Sequence, residues 1–192
     1  MDESLDIDAN RLAQKYTRKI LVARIMWMVG ATLFRWSPRP CFRFRRILLR
    51  WFGATVGANV HVYPSATIYF PWNLTIEEGA SIGENSLVYN LGVCRIGRRA
   101  TISQRVHLCA GTHDYTDPSM PLLKVPIHIG DDAWVCADAF VGPGVVVGAG
   151  AIVGARAVAI KSVKPWMVVA GNPAKAVKIR QMKETRIPIT YE

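Results

Sequence analysis

The stretch IGDDAWVCADAFVGPGVVVGAGAIVGARAVA, residues 129–159, decides how this chain folds. An aliphatic residue returns at every sixth position without a shift of phase: Ile129, Val135, Val141, Val147, Val153 and Ala159. A period of six matches neither an α-helix, near 3.6, nor a plain alternating strand, at two. It matches a short strand followed by a bend, with three such units closing one triangular coil. The aliphatic residue then points inward and stacks on its equivalent one coil away.

Working outward toward the N-terminus, the same slots hold Ile96, Ile102 and Leu108, then Ile76, Ile82 and Val88, then Val56, Val62 and Ile68. Two extra residues separate each of these triplets, and a longer interruption, 112–128, separates Leu108 from Ile129. Fourteen of the fifteen slots are Ile, Leu or Val, types that make up a quarter of the chain, so composition does not produce the phase. The following slot is Gly at 57, 83, 97, 130, 142, 148 and 154, where a corner demands positive φ or close packing. The fifth slot is small or β-branched. An antiparallel sandwich would put turns every 8–12 residues with no strict phase. The expected fold is an all-β solenoid of about five coils.

A solenoid has open strand edges that need covering. Residues 10–36 read as one helix, broken by Ser37-Pro38-Arg39-Pro40. A second helix follows, with Phe44, Ile47, Leu48 and Trp51 on its inward face and Arg43, Arg46 and Arg50 opposite. Residues 174–184 read as a short C-terminal helix. The chain therefore divides into a basic helical arm (1–54), the solenoid (55–172) and a helical cap or tail (173–192).

The chain has 192 residues, 51% hydrophobic and 20% charged, which excludes a disordered polymer. Its net charge is +10, of which +7 lies in residues 1–52, where eleven Lys/Arg face four Asp/Glu. Bulky apolar residues interleave with these cations, so the arm fits an anionic membrane surface or a packing role; nucleic-acid binding has only the net charge in its favour. Capping and peripheral membrane contact through residues 10–52 are compatible. The acidic start argues against a secretory leader, and the apolar run 20–34, about 22 Å as a helix, is too short to span a bilayer. Cys41, Cys94, Cys109 and Cys136 form no CxxC pair, which points to a reducing compartment and a cytoplasmic protein.

The interruption 112–128 opens with His113-Asp114. Loops that leave a rigid solenoid commonly carry function. Imidazole titrates near neutrality and suits removal of a proton from an attacking hydroxyl, and a neighbouring carboxylate or backbone carbonyl would fix its tautomer. Asp114 is the adjacent candidate.

From residue 89 onward the resemblance to a known family is close. Tyr89-Asn90, LCAGTHDY (108–115), the stretch 127–163 and PWMVVAGNPAKAVKIR (165–180) resemble the hexapeptide-repeat O-acetyltransferases related to maltose and galactoside acetyltransferases. LLRWFGATVG (48–57) and PWNLTI (71–76) resemble the subgroup of colanic-acid and other exopolysaccharide biosynthesis. The resemblance implies a left-handed parallel β-helix, a homotrimer with active sites between subunits, acetyl-CoA as donor and a sugar or saccharide acceptor. It implies His113 as catalytic base with Asp114 beside it. Trp134, Ala137, Ala155, Ile160, Lys161, Lys175 and Lys178 fall on cofactor-contacting positions, and Asn90 with Tyr89 on acceptor-binding ones. The chain departs from the family's common pattern at Ile160-Lys161-Ser162, often Thr-Lys-Asp, and at Cys136-Ala137. No acyl-enzyme is expected, since no Ser or Cys sits in an elbow motif.

Alternative readings are an N-acetyltransferase of an amino sugar, a non-catalytic membrane-associated β-helix scaffold, and a carbonic anhydrase of the same fold. The last needs three histidines on one metal. His107 and His113, six apart, fall on different faces, so no metal site is expected.

Overall fold

A computed structural model describes residues 5–183. The chain from Thr55 onward winds into a parallel β-solenoid with three faces. The first face stacks Thr55–Val56, Leu74–Ile76, Cys94–Ile96, Ile127–Ile129 and Val146–Val147. The second stacks His61–Val62, Ser81–Ile82, Thr101–Ile102, Trp134–Val135, Ile152–Val153 and Met167–Ala170, and the third stacks Thr67–Ile68, Leu87–Tyr89, His107–Cys109, Phe140–Val141 and Val158–Ala159. All fifteen aliphatic slots are buried, each on the face that its phase assigns. Met167–Ala170 adds a partial sixth coil to the five expected.

The register explains the interruptions. Partners on the first face lie 20 residues apart from Thr55 to Thr75 and from Thr75 to Arg95, 33 apart from Arg95 to His128, and 18 apart from His128 to Val146. The two extra residues per early coil sit at the corner between the third and first faces, where Pro71–Asn73 makes a 3₁₀ turn.

Most of the glycines that follow the aliphatic slot serve close packing, Gly142 being an exception, and none of them has positive φ. A Cβ on Gly130 would lie 2.5 Å from the backbone nitrogen of Ala149 in the next coil. Left-handed backbone falls two residues later in most units, on Asn59, Asn85, Arg99, Arg105, Asp132, Asp138 and Arg156 among others. Several of these pair across coils: Arg99 grips Asp132 through two hydrogen bonds of 2.7 Å, and Arg105 grips Asp138 at 2.6 and 2.9 Å.

The arm differs from the expected single long helix. Helix α1 (Ile7–Leu12) ends early, and α2 (Arg18–Trp36) starts afresh with Thr17 as its N-cap. Trp27 and Phe34 of α2 enter the core, and the Trp27 indole N–H donates to the Ile68 carbonyl at 2.8 Å. Helix α3 (Phe42–Trp51) is rotated relative to the expected orientation. It buries Arg45, Leu48 and Leu49 and leaves Phe44, Ile47 and Trp51 exposed.

The reason is the open edge of the first coil, whose carbonyls need donors more than they need apolar cover. Arg45 donates to Val62 O at 2.6 Å, Arg46 to Val60 O at 3.0 Å and Arg50 to Val56 O at 2.9 Å. Arg45 is fully buried and also reaches Ser37 Oγ, Pro38 O and Arg39 O. Capping by α3 is thus carried out by its arginines.

At the far end the expected C-terminal helix is a strand. Lys175–Ile179 pairs antiparallel with Met167–Ala170, which gives the last strand of the second face a partner that a helix would not supply. The rest of the expected cap, from residue 184 on, lies outside the described residues.

Candidate active site

The segment after the third face's Cys109 leaves the solenoid as a hairpin, with Thr112–His113 paired antiparallel to Leu122–Leu123. The third–first corner can hold such an excursion because its two ends, Cys109 and Ile127, return to consecutive coil positions. His113 stands half-buried at the hairpin's start, directly opposite Leu122. Its Nδ1 lies 2.6 Å from the Met120 carbonyl oxygen. A carbonyl only accepts, so Nδ1 carries a proton, and in the neutral ring Nε2 is then the nitrogen with the free lone pair. Met120 reaches this position through a left-handed backbone, φ 44°, with its N–H bonded to Asp117 O at 2.8 Å.

Asp114 does not orient the ring. Its Oδ1 accepts from the Thr116 N–H at 3.0 Å and from the Thr116 hydroxyl at 2.6 Å, closing a local turn. The Thr116 hydroxyl above all, with the Thr116 N–H, holds this exposed carboxyl below its usual range.

Asn90 also has a different role from the one expected. It is fully buried, its carboxamide oxygen accepts from Phe70 N–H at 3.0 Å, and its Nδ2 donates to Phe70 O at 2.6 Å. That pairing ties two coils at the corner with the extra residues, and the side chain is buried within this chain. Tyr89 points outward from the third face, edge-on to Tyr69 at 4.8 Å, in register with Cys109.

The remaining predicted residues divide into three groups. Trp134 and Lys178 line one cleft of about 860 Å³ on the second face, together with Ile152, Val168, Arg180 and Lys183. Lys175 lies on the strand that bears Lys178. Trp134 is 44% exposed, and its indole N–H donates to Ser103 Oγ at 2.8 Å. Ala137 and Ala155 occupy the second–third corner in successive coils, where Arg156 N–H donates to Ala137 O at 2.9 Å. Ile160 and Lys161 lie exposed at the third–first corner, the corner from which His113 projects. In a three-sided prism that corner is opposite the second face. One chain therefore sets His113 and the Trp134 cleft on opposite sides.

Two contributors escaped the sequence reading. Met120 and Asn10, whose side chain also bonds the Met120 carbonyl, carry no motif, and their roles follow from tertiary contacts. The four histidines are dispersed: His61, His107 and His128 lie on the second, third and first faces, and His113 on the hairpin. Among the described residues no cluster of three or more His, Cys, Asp or Glu could hold a metal ion.

No protein-family model matches the chain. A hexapeptide-repeat acetyltransferase of Vibrio cholerae, solved with acetyl coenzyme A, superposes with a TM-score of 0.78 at 22% identity, covering 86% of this chain and 91% of that one. The sequence is 43% identical over 162 residues to the Escherichia coli protein named as the colanic acid biosynthesis acetyltransferase WcaF, across 84% of this chain and 88% of the relative. The chain belongs to the hexapeptide-repeat acetyltransferases. A maltose O-acetyltransferase of Clostridium difficile shares the fold, with a TM-score of 0.77 at 21% identity over 86% of this chain and 90% of that one. Membership in the family makes the chain an acetyltransferase.

Proposed function

We propose that the chain transfers an acetyl group from acetyl-CoA to a hydroxyl of a saccharide acceptor in polysaccharide biosynthesis, with His113 as general base. The observation that carries this is the Met120 carbonyl on His113 Nδ1, which leaves Nε2 unprotonated on a half-buried ring. His113 accepts the hydroxyl proton at Nε2 as the acceptor oxygen bonds the acetyl carbon. It returns that proton to the sulfur as the carbon–sulfur bond breaks. The donor's fit rests on the second-face cleft. Lys178, Arg180 and Lys183 suit phosphates, Trp134 offers an exposed ring, and the small Ala137 and Ala155 leave room for a thin chain along the neighbouring corner.

Since His113 and Trp134 lie on opposite sides of one prism, the complete site forms between two prisms of a homotrimer. Mixing His113→Ala and Trp134→Ala subunits tests this. Mixed trimers hold some sites with both native residues and regain acceptor-dependent thiol release, whereas a site within one chain regains none. Mass spectrometry of the product separates an acetyl ester from an amide.

The arm places this chemistry at the cytoplasmic surface of an anionic membrane. Helix α2 turns Val22, Ile25, Met26, Met28, Val29 and Leu33 outward, a face that a protein in water alone would not keep apolar. Trp36 and Trp51 are 84% and 80% exposed, and the arm is strongly cationic. Among the described residues no helix is long and apolar enough to cross a membrane, so contact is peripheral. Cosedimentation with phosphatidylglycerol vesicles is expected, with little on phosphatidylcholine. Failure to bind either would assign the α2 face to protein contacts.

A further inference from the structure

Helix α1 presents a puzzle of packing. It has six residues and buries none of them, so apolar contact does not hold it in place. Its attachments are polar, and three of them fall on the segment 118–120 of the His113 hairpin. Asp6 N–H donates to Pro118 O at 2.9 Å, Asn10 Nδ2 donates to Ser119 O at 2.9 Å, and Asn10 Nδ2 also donates to Met120 O. Asn10 is held in turn by Lys15, whose Nζ donates to Asn10 Oδ1 at 2.7 Å. Lys124, two residues beyond the register partner of His113, donates from Nζ to Lys15 O at 2.9 Å and closes the loop.

We propose that Asn10 is a positioning residue for the catalytic base: it fixes the Met120 carbonyl, and that carbonyl fixes the proton on His113 Nδ1. The inference rests on His113 being the base. Met120 sits in a left-handed conformation that a Met seldom adopts, so its peptide needs outside support to keep this orientation. The Asn10 carboxamide supplies it from the opposite side, with one carbonyl oxygen accepting both from Asn10 Nδ2 and from His113 Nδ1. Without the carboxamide donor the Met120 peptide can rotate, His113 loses the acceptor for its Nδ1–H, and the proton redistributes to Nε2. The ring then offers a donor where the acceptor hydroxyl needs a base.

Asn10→Asp keeps the shape and the Lys15 contact but replaces the donor with an acceptor facing two carbonyls. Asn10→Ala removes the group. Because α1 buries no side chain, both variants are expected to unfold at the wild-type temperature. Ring ¹⁵N shifts in protein labelled at histidine, read without any ligand, report the tautomer. Wild-type His113 is expected to show a protonated Nδ1 and an unprotonated Nε2, and both variants a mixture. With an acceptor that supports wild-type thiol release, kcat is expected to fall roughly tenfold, the range for a group that orients a reacting side chain, with KM for acetyl-CoA unchanged.

An unchanged tautomer in Asn10→Asp overturns the proposal, whether kcat falls or not, because a fall would then come from a contact with the acceptor. His113→Ala distinguishes the two readings. If it retains turnover, the base assignment fails; if it abolishes turnover while Asn10→Asp leaves tautomer and kcat intact, only the positioning role fails.

Discussion

His113 and Met120 are joined through a 2.6 Å contact between imidazole Nδ1 and a backbone carbonyl, across the mouth of a hairpin that leaves the solenoid between its third and fourth coils. A backbone group thus takes the orienting role that the adjacent Asp114 would fill by sequence. Asp114→Asn should keep turnover within a few-fold of wild type, because its carboxylate bonds Thr116 and not the ring. Steady-state thiol release checks this, and a loss near that of His113→Ala would restore Asp114 as the orienting group.

Two glycines of identical repeat phase should respond differently to alanine. At Gly130 the added Cβ would meet the backbone of Ala149 at 2.5 Å, whereas at Gly142 the nearest atoms stand at 3.4 Å. Overpacking against backbone costs about 1–3 kcal/mol. Denaturant unfolding should show Gly130→Ala destabilised by that amount and Gly142→Ala close to wild type.

The N-terminal cap should depend on one buried cation. Arg45→Met leaves the Val62 carbonyl without its donor where it is buried, and removes the donors of the part-buried Pro38 and Arg39 contacts, which should cost about 1–3 kcal/mol. Arg43→Ala, at an exposed position on the same helix, should fall within about 0.5 kcal/mol of wild type. The comparison is again read by equilibrium unfolding.

How much of this was legible depended on whether a feature repeats. The inward slots could be placed on three faces from phase alone, because a hexad that loses phase exposes an aliphatic residue. Glycine was misjudged in part: its place after seven of the slots was visible, but the left-handed corner falls on other residues, among them Arg99, Arg105 and Arg156, a type that carries no such signal. Helix α3 was read with its arginines outward because Arg is rarely buried, and only the open strand edge reverses that preference. KAVKI (175–179) became a strand because a neighbouring strand lacked a partner, a demand no local pattern expresses. Among the candidate site residues, His113 was singled out through its motif. Asn90, Met120 and Asn10 were misread or missed because their roles lie in contacts 7 to 110 residues away.

Acid should weaken the corners of the solenoid. Arg99 and Arg105 hold the carboxyls of Asp132 and Asp138 below their usual range, chiefly through hydrogen bonds. A depressed folded-state pKa contributes stability that is complete above the unfolded value near pH 4 and is lost as pH falls through the lower folded value. Stability should therefore drop below about pH 4. Asp132→Asn with Asp138→Asn, or high salt, should make that fall shallower. Urea midpoints measured between pH 3 and pH 7 follow the effect, and an unchanged slope in the double variant would remove these pairs from the account.

The central claim is that His113 is the base of an acetyl-CoA-dependent transfer, and it is tested most directly by thiol release from acetyl-CoA in wild type and His113→Ala across free sugars and lipid-linked saccharide extracts. The account predicts acceptor-dependent release by wild type that falls at least ~100-fold in the variant, with its fold and acetyl-CoA binding retained. Release by His113→Ala at the wild-type rate, or no binding of acetyl-CoA by the wild type, would contradict it.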